Sequence, residues 1–456
     1  MIHCYSLDEK NIVIDVNSGA VHLLDPLAYE MAPLCEALVP LGEECPEELT
    51  QRLQDRFDRS QIEEAYGELR ELWQQGMLYT SDEYIDLEQY QLKYSPIKAM
   101  CLHVAHDCNL RCEYCFADTG EFRGKREFLS LETGKKAFDF LIEQSKGRRN
   151  LEVDFFGGEP LMNFDVVKEL VRYGRELEKE HNKSFRFTIT TNGVLLDEDK
   201  MKFINDNMSN VVLSIDGRPE VNDRVRKRVG GGGCYESIMP KMKEMAKLRN
   251  QDQYYVRGTF TKYNLDFHRD VLHMAENGFE QISIEPVVAE PTAPYAIDEE
   301  DLPEIFASYE ALYQEMKCRI GRSDRFNFFH FMIDLEQGPC IIKRLGGCGS
   351  GNEYVAIAPS GDIYPCHQFV GMEEFRMGNV HTGEFDRTMK EKFSKINVYT
   401  KQECAQCWAK FYCSGGCNAN NYQYGGGLDK PYRLGCEMEK KRLECAIALK
   451  AEAALR

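Results

Sequence analysis

The chain has 456 residues, a formal net charge of −19 and 18 cysteines. This length is enough for two or three domains with a sizeable core. The acidic balance argues against nucleic acid as a partner, because a phosphate backbone is bound by a basic surface. No apolar run approaches the roughly 20 residues that cross a bilayer, and the N-terminus has no signal-peptide pattern. We therefore expect a cytoplasmic protein with no membrane partner, in which cysteines bind clusters or metals rather than form disulfides.

Residues 1–90 predict a small N-terminal domain. Its predicted elements are a hairpin over 11–24, a helix that begins at Asp25-Pro26, helices over 46–57 and 59–76, and a return strand over 77–79. The acidic stretch 81–88 predicts a linker or an exposed turn.

Residues 96–325 alternate between strand and helix patterns, which indicates an α/β fold with a parallel sheet. The predicted strands are 99–104, 151–156, 184–191, 210–215, 254–260 and 281–287. The predicted helices are 131–145, 163–181, 197–207, 235–249 and 264–277. In barrels built from such units, chemistry gathers at the carboxyl ends of the strands.

Three cysteines follow the first of these strands with the spacing Cys108-x3-Cys112-x2-Cys115. Thiolates this close can ligate three irons of one cubane cluster, which leaves the fourth iron open. No fourth cysteine and no His at zinc-finger spacing lies nearby. A three-cysteine zinc or redox loop is the alternative interpretation.

With Tyr114 before its last cysteine, this motif resembles the signature of the radical SAM enzymes. The resemblance implies a partial (β/α)6 barrel and a catalytic cluster on Cys108, Cys112 and Cys115. In that family the open iron chelates S-adenosylmethionine (SAM), which one electron cleaves to methionine and a 5′-deoxyadenosyl radical.

Polar and glycine residues after the next strands resemble the SAM-binding motifs of the same family. Gly157-Gly158-Glu159-Pro160 is similar to its GGEP motif, and Thr190-Thr191-Asn192-Gly193 is similar to its TNG turn. The residues that the resemblance places near SAM are Tyr114, Gly157, Gly158, Glu159, Pro160, Thr190, Asn192, Ser214 and Asp216. We also expect Arg257 to point into the barrel toward a carboxylate. Ordinary turn chemistry is the alternative for the Asn-Gly and Asp-Gly pairs.

A second set of cysteines occupies residues 326–456. Its spacing, Cys348-x12-Gly361-x4-Cys366, Cys404-x2-Cys407-x5-Cys413-x3-Cys417 and Cys436, resembles that of the SPASM domain. The resemblance implies a first auxiliary iron–sulfur cluster on Cys348, Cys366 and Cys417 and a second one on Cys404, Cys407, Cys413 and Cys436. Cys340 either completes the first auxiliary cluster or leaves one of its irons open. A pair of zinc knuckles is the alternative.

Two further patterns surround these cysteines. Residues 355–363 predict a hairpin that carries Cys366, and residues 436–454 predict an amphipathic helix with Cys445 facing the core. His367 follows Pro365-Cys366, where the SPASM enzymes that make formylglycine carry Asp. This difference argues against a sulfatase-maturing activity.

The N-terminal layout resembles the PqqD-like RiPP recognition element, a winged-helix-like domain in which a leader peptide adds a strand to a sheet edge. A structural cap is the alternative. The domain order 1–90, 96–325 and 326–456 is similar to that of maturases that form thioethers in six-cysteine (SCIFF, ranthipeptide or sactipeptide type) peptides. This resemblance implies SAM, three [4Fe-4S] clusters, a cysteine-rich precursor peptide and an electron donor such as flavodoxin or ferredoxin. Carbon–carbon cross-linking, decarboxylation, a non-enzymatic electron carrier and a zinc-bound interaction protein remain alternatives.

Overall fold

The structure is a computed structural model that describes residues 1–85, 95–336 and 341–455. Cys340, which the sequence offers as a further cluster ligand, lies outside the described residues, as do residues 86–88 of the predicted linker.

The N-terminal region is a three-stranded antiparallel sheet followed by three helices. The strands are β1 (Ile2–Leu7), β2 (Lys10–Asp15) and β3 (Val21–Leu24), paired in the order β1-β2-β3. The helices are α1 (Pro26–Glu36), α2 (Glu47–Leu53) and α3 (Arg59–Gln74). The hairpin and the helix start are confirmed, and Asp25 accepts a hydrogen bond from the Ala28 backbone N–H at 2.8 Å, as an N-cap does.

In this region one strand was not predicted from the sequence and another was wrongly predicted. The sequence missed β1, whose polar residues mask the alternation of its buried side chains Tyr5 and Leu7. Residues 77–79 form no strand. Instead the buried Tyr79 hydroxyl donates to the Ala32 carbonyl at 2.8 Å, so this segment packs against α1 rather than pairing with the sheet.

The central part of the chain forms the predicted strand–helix units. The strands are β4 (Ala99–His106), β5 (Leu110–Cys112), β6 (Glu127–Phe128), β7 (Asn150–Gly157), β8 (Ser184–Thr191), β9 (Asn210–Ser214), β10 (Arg226–Arg228), β11 (Tyr254–Phe260), β12 (Gln281–Pro286) and β13 (Asn327–Phe328). The helices are α4 (Leu131–Ser145), α5 (Phe164–His181), α6 (Glu198–Asn207), α7 (Pro219–Val225), α8 (Tyr235–Leu248), α9 (His268–Glu276) and α10 (Leu302–Cys318). All six predicted strands and all five predicted helices of this region are present.

The six long strands run parallel in the order β12-β11-β9-β8-β7-β4. Side chains on the helix-facing side of these strands, such as Val153, Phe187 and Val211, are completely buried and form the main core. This arrangement is the predicted partial barrel, and it gathers the carboxyl ends of the strands at one end of the sheet.

The C-terminal region continues the same sheet. Its strands are β14 (Tyr354–Ile357), β15 (Asp362–Tyr364), β16 (Gly378–Asn379) and β17 (Glu384–Phe385). Its helices are α11 (Ile341–Gly346), α12 (Arg387–Ser394), α13 (Gln402–Ala405), α14 (Lys410–Cys413), α15 (Asn418–Asn420) and α16 (Arg433–Ala454). The predicted hairpin is confirmed as the antiparallel pair β14–β15, but β14 also pairs in parallel with β4. The hairpin therefore fixes the C-terminal cysteines against the first strand of the barrel.

Helix α16 joins all three regions. It packs along α10 and also contacts β1, where the Tyr5 hydroxyl donates to the Glu444 carbonyl at 2.9 Å. Cys445 is completely buried, as its predicted position on the core-facing side requires. No helix in the described part of the chain is long and apolar enough to cross a bilayer.

Candidate active site

Cys108, Cys112 and Cys115 surround one cavity at the carboxyl ends of the barrel strands. The loop that carries them is held by β5, where Cys112 pairs with Arg226 of β10. The thiols interact electrostatically with one another, and burial raises the pKa of Cys108 to about 11 and that of Cys112 to about 12. A bound cation reverses such shifts, because it favours the thiolate.

The predicted glycines allow β7 to approach the beginning of this loop. A side-chain carbon on Gly157 would lie 2.2 Å from the Ala105 carbonyl oxygen, and one on Gly158 would lie 2.2 Å from that of Asp107. Gly157 also has a φ of +132°, which other residues rarely adopt. Both glycines line the cavity beside the thiols, so this close approach sets one wall of the site.

Glu159 directly follows the two cavity-lining glycines and is completely buried. Its carboxylate accepts hydrogen bonds from the Leu161 and Asn192 backbone N–H groups and the Thr191 hydroxyl, at 3.0, 2.8 and 2.8 Å. Burial raises the pKa of Glu159, and these three donors oppose that shift. Glu159 thus ties the end of β7 to the end of β8, and the buried Pro160 begins the turn that follows it.

The turn after β8 reaches the first cysteine directly. The Asn192 side-chain amide lies 3.6 Å from the Cys108 sulfur and donates to the Asn109 side chain at 2.8 Å. Thr190, Asn192 and Ser214 all line the cavity. These three predicted SAM contacts are therefore brought together with the cysteines.

Tyr114 and Asp216 form a buried group with Arg226, a residue that sequence reasoning missed. The Tyr114 hydroxyl donates to Asp216 at 2.6 Å, and the Arg226 guanidinium donates to that hydroxyl at 2.9 Å and lies 3.8 Å from the carboxylate. Burial raises the pKa of Asp216, and Arg226 opposes this rise. The Arg226 Nε is buried, and no described residue accepts a hydrogen bond from it. Arg226 also lines the cavity beside the three cysteines.

Arg257 points into the barrel toward a carboxylate, as expected, but that carboxylate belongs to the protein. Its guanidinium lies 2.5 Å from Glu285 of the adjacent strand β12. Arg257 is not among the residues that line the cysteine cavity. Arg257 therefore pairs with Glu285 outside the set of residues that line the cysteine cavity.

The first auxiliary set brings together cysteines from three separate segments. The thiol of Cys366 interacts electrostatically with those of Cys417 and Cys348. Two hydrogen bonds hold the segments together: Gly351 N–H donates to the Pro365 carbonyl at 2.9 Å, and the Asn418 amide donates to the Ser350 hydroxyl at 3.1 Å. The structure therefore brings together the three cysteines that the resemblance assigns to the first auxiliary cluster.

The second auxiliary set also forms one group. All of its members line a single cavity: Cys404, Cys407, Cys413 and Cys436. Cys436 belongs to α16 and interacts electrostatically with Cys404 and Cys407 of the preceding loop. Cys413 and Cys417 are only four positions apart, yet they lie in different sets.

The donor sets fit iron–sulfur clusters, because each of them consists of neighbouring cysteine thiols. The barrel thiols lie near the buried cation Arg226, and both auxiliary sets lie near the buried cation Lys401, which suits the negative charge of thiolate-ligated clusters.

Comparison with known families agrees with this geometry. Residues 102–264 match the radical SAM superfamily, and residues 348–408 match the SPASM iron–sulfur cluster-binding domain. The chain is 26% identical to an uncharacterised protein of Archaeoglobus fulgidus over 80% of this chain and 83% of that protein. It is 24% identical to a cysteine-type anaerobic sulfatase-maturating enzyme of Clostridium novyi over 69% of this chain and 86% of that enzyme.

Solved structures share the fold. The enzyme anSMEcpe with bound AdoMet superposes with a TM-score of 0.64 at 21% identity and covers 79% of this chain and 96% of its own. Streptococcus suis SuiB bound to the precursor peptide SuiA superposes with a TM-score of 0.53 at 15% identity and covers 94% of this chain and 97% of its own. The chain therefore has the α/β radical SAM fold, and it carries a radical SAM domain followed by a SPASM iron–sulfur cluster-binding domain.

Proposed function

We propose that this protein is a radical SAM maturase that forms thioether cross-links, from cysteine sulfur to carbon, within a cysteine-rich precursor peptide. The observation that carries the proposal is the combination of one open three-thiol site in the barrel with two further thiol sets in the SPASM region. When bound, the clusters and SAM supply the radical and redox chemistry.

The chain's own residues hold and surround these cofactors in this proposal. Cys108, Cys112 and Cys115 hold the SAM-binding cluster. The cavity residues Gly157, Gly158, Thr190, Asn192, Ser214 and Arg226 bind SAM. Cys348, Cys366 and Cys417 hold the first auxiliary cluster, whose remaining iron is open to a peptide thiolate if Cys340 is not a ligand. Cys404, Cys407, Cys413 and Cys436 hold the second.

The N-terminal sheet supports a peptide substrate. Helix α16 contacts β1, one edge strand of the sheet, whereas β3 is the other edge strand and pairs with no further strand among the described residues. An exposed edge offers unpaired backbone groups to an extended peptide. SuiB, which shares this fold, is bound to a precursor peptide, and this supports a peptide as the substrate of the present protein.

Sulfatase maturation is the second candidate, because curated relatives that cover two thirds of the chain are sulfatase-maturating enzymes. His367 stands directly after Cys366 and packs between Phe116 and Phe156, at ring-centroid distances of 5.5 and 5.1 Å. An imidazole replaces the Asp that the formylglycine-forming SPASM enzymes carry at this position, which argues against sulfatase maturation.

The test is anaerobic co-expression with a cysteine-rich peptide encoded beside the gene, followed by thiol alkylation and mass spectrometry. Thioether formation removes two hydrogens per link and leaves those cysteines unalkylated. Hydrogen loss with every cysteine alkylated would instead indicate carbon–carbon cross-linking, and loss of carbon dioxide would indicate decarboxylation. Conversion of a sulfatase-derived cysteine peptide to the aldehyde, with the cysteine-rich peptide unchanged, would support the second candidate. The Cys112→Ala variant is the matched control.

A further inference from the structure

Lys401 is a buried cation between the two auxiliary cysteine sets. No motif in the sequence predicts a role for it. Its side chain is 1% exposed. The ammonium donates to the Gly415 carbonyl at 2.7 Å and lies 3.3 Å from the Asn418 amide oxygen. Both acceptors flank Cys417, on the segment that leads from the second cysteine set to the first.

The surrounding backbone is shaped to admit this ammonium. Gly415 has a φ of +82°, and a side-chain carbon at this position would lie 3.1 Å from the Lys401 Nζ. The Gly415 carbonyl also accepts from the Asn421 amide at 3.0 Å, and Asn418 donates onward to Ser350 at 3.1 Å. The ammonium is therefore the centre of a hydrogen-bonded group that includes segments of both sets.

No carboxylate balances this charge in the part of the chain that the structure describes. Lys401 forms no ion pair there with Asp or Glu. Its strongest electrostatic interactions are with cysteines: Cys404 and Cys413 of the second set, and Cys417 and Cys348 of the first. A buried ammonium with only neutral hydrogen-bond acceptors is unfavourable. Negative charge on the cysteine sets removes that penalty.

Lys410 provides the contrast. It is also buried, at 3% exposure, and lies between Cys407 and Cys413 in the chain. Its ammonium, however, pairs with Asp82 at 2.6 Å, and Asp82 also accepts from the Tyr399 hydroxyl at 2.7 Å. The charge of Lys410 is thus neutralised within the protein, and that of Lys401 is not.

We propose that Lys401 is a positioning residue shared by the two auxiliary sites, and that its uncompensated charge raises the reduction potentials of both clusters. The inference rests on the proposed cluster assignment. A thiolate-ligated cluster becomes more negative on reduction, so a nearby cation stabilises the reduced state. The hydrogen bonds to Gly415 and Asn418 hold the cation between the two sites.

The experiment uses the full chain, reconstituted without oxygen, with iron analysis and redox titrations followed by electron paramagnetic resonance. In Lys401→Met and Lys401→Gln, we expect both auxiliary potentials to become more negative. At the potential that half-reduces each wild-type cluster, the ratio of reduced to oxidised cluster should fall about tenfold, which corresponds to about 59 mV. Lys401→Arg keeps the charge and should retain the wild-type potentials.

The matched control is the double variant Asp82→Asn/Lys410→Met, which removes a buried lysine together with its counter-ion. We expect a shift less than half as large as in Lys401→Met, confined to the second cluster. Unchanged potentials in a fully loaded Lys401→Met protein, a shift in only one auxiliary cluster, or an equal shift in Lys401→Arg would overturn the inference.

Loss of iron is also informative. If Met and Gln variants lose auxiliary iron while the Arg variant retains it, the sites require the charge, as proposed. If all three variants lose it, Lys401 acts through its shape and the inference fails. A wild-type protein with only one cluster in the SPASM region would instead contradict the cluster assignment, before any variant is made.

Discussion

The cysteine site of the barrel and the two cysteine sets of the C-terminal region differ in how the chain assembles them. The barrel site takes its thiols from one loop of eight residues, 108–115, pinned by the short pair β5–β10. The auxiliary sets take theirs from segments spread over 348–436, and neighbouring cysteines go to different sets. A local site depends on its loop, whereas the auxiliary sites depend on how the barrel, the hairpin β14–β15 and α16 pack together.

The cations of the two regions also differ. Arg226 shares its charge with Asp216 and Tyr114, so the barrel site is balanced before any ligand binds. Lys401 has only neutral acceptors. This contrast suggests that the barrel site is formed in advance for an exchangeable ligand, whereas the auxiliary region reaches its charge balance only with its clusters in place.

The largest expected effect comes from removing one cysteine of the barrel site and, in a separate variant, one cysteine of the second auxiliary set. Cys112→Ala should abolish SAM cleavage and reduce bound iron from about twelve to about eight atoms per chain. Cys404→Ala should instead retain the cleavage of SAM to 5′-deoxyadenosine, because the barrel thiols do not depend on the second set. Iron analysis and chromatography of 5′-deoxyadenosine measure both. Cys318→Ala is the control, since this exposed thiol belongs to neither group; equal loss of cleavage in both variants would contradict the independence of the sites.

Replacement of Arg226 tests whether the charges of the barrel site are balanced before any ligand binds. Arg226→Met leaves Asp216 buried without its cation, and we expect the apoprotein to lose about 3 kcal/mol of unfolding free energy in urea. Asp216→Asn/Arg226→Met should recover part of that loss, because no buried charge remains. Arg59→Met removes an exposed arginine whose ion pairs are screened by water, and it should leave the unfolding free energy almost unchanged. Equal effects of Arg226→Met and Arg59→Met would show that the barrel group is not balanced as proposed.

A smaller, pH-dependent effect is expected at Asp154, between the two regions. Asp154 lies on β7 and interacts with Cys101 of β4 and Tyr354 of β14. Burial, with a contribution from Glu152, raises the pKa of Asp154 from 3.8 to about 6. Because the folded pKa is raised, the stabilisation by the protonated acid is complete below about pH 4 and is lost as the pH rises through about 6.

Asp154→Asn should therefore leave the unfolding free energy unchanged at pH 4 and increase it by about 2 kcal/mol at pH 8. Urea unfolding of the apoprotein at several pH values measures this difference. A variant whose relative stability does not change with pH would contradict the buried, protonated state. Asp165→Asn is the control, because Asp165 is exposed at the start of α5.

Much of the architecture could be predicted from the sequence. The parallel strands and their helices have strong, uninterrupted patterns, and β8, β11 and α4 have the predicted bounds. The weaker elements failed: β1 contains too many polar residues for its alternation to stand out, and residues 77–79 look like a strand because their apolar side chains are buried against α1. Asp82 was expected in an exposed linker, yet it pairs with the buried Lys410, a contact that no local pattern indicates.

The cysteine spacings by themselves predicted sites for clusters or metals, and their resemblance to family motifs predicted the radical SAM and SPASM domains, which the family matches confirm. The grouping of Cys348, Cys366 and Cys417 required a resemblance, and only the tertiary structure shows these thiols close together. The tertiary structure also decided that β14 extends the barrel sheet and that Arg257 pairs with Glu285. It further showed that Arg226 and Lys401 are the buried cations near the thiols. The physical reason is that charge balance in a buried site depends on distances between segments, which residue spacing along the chain does not contain.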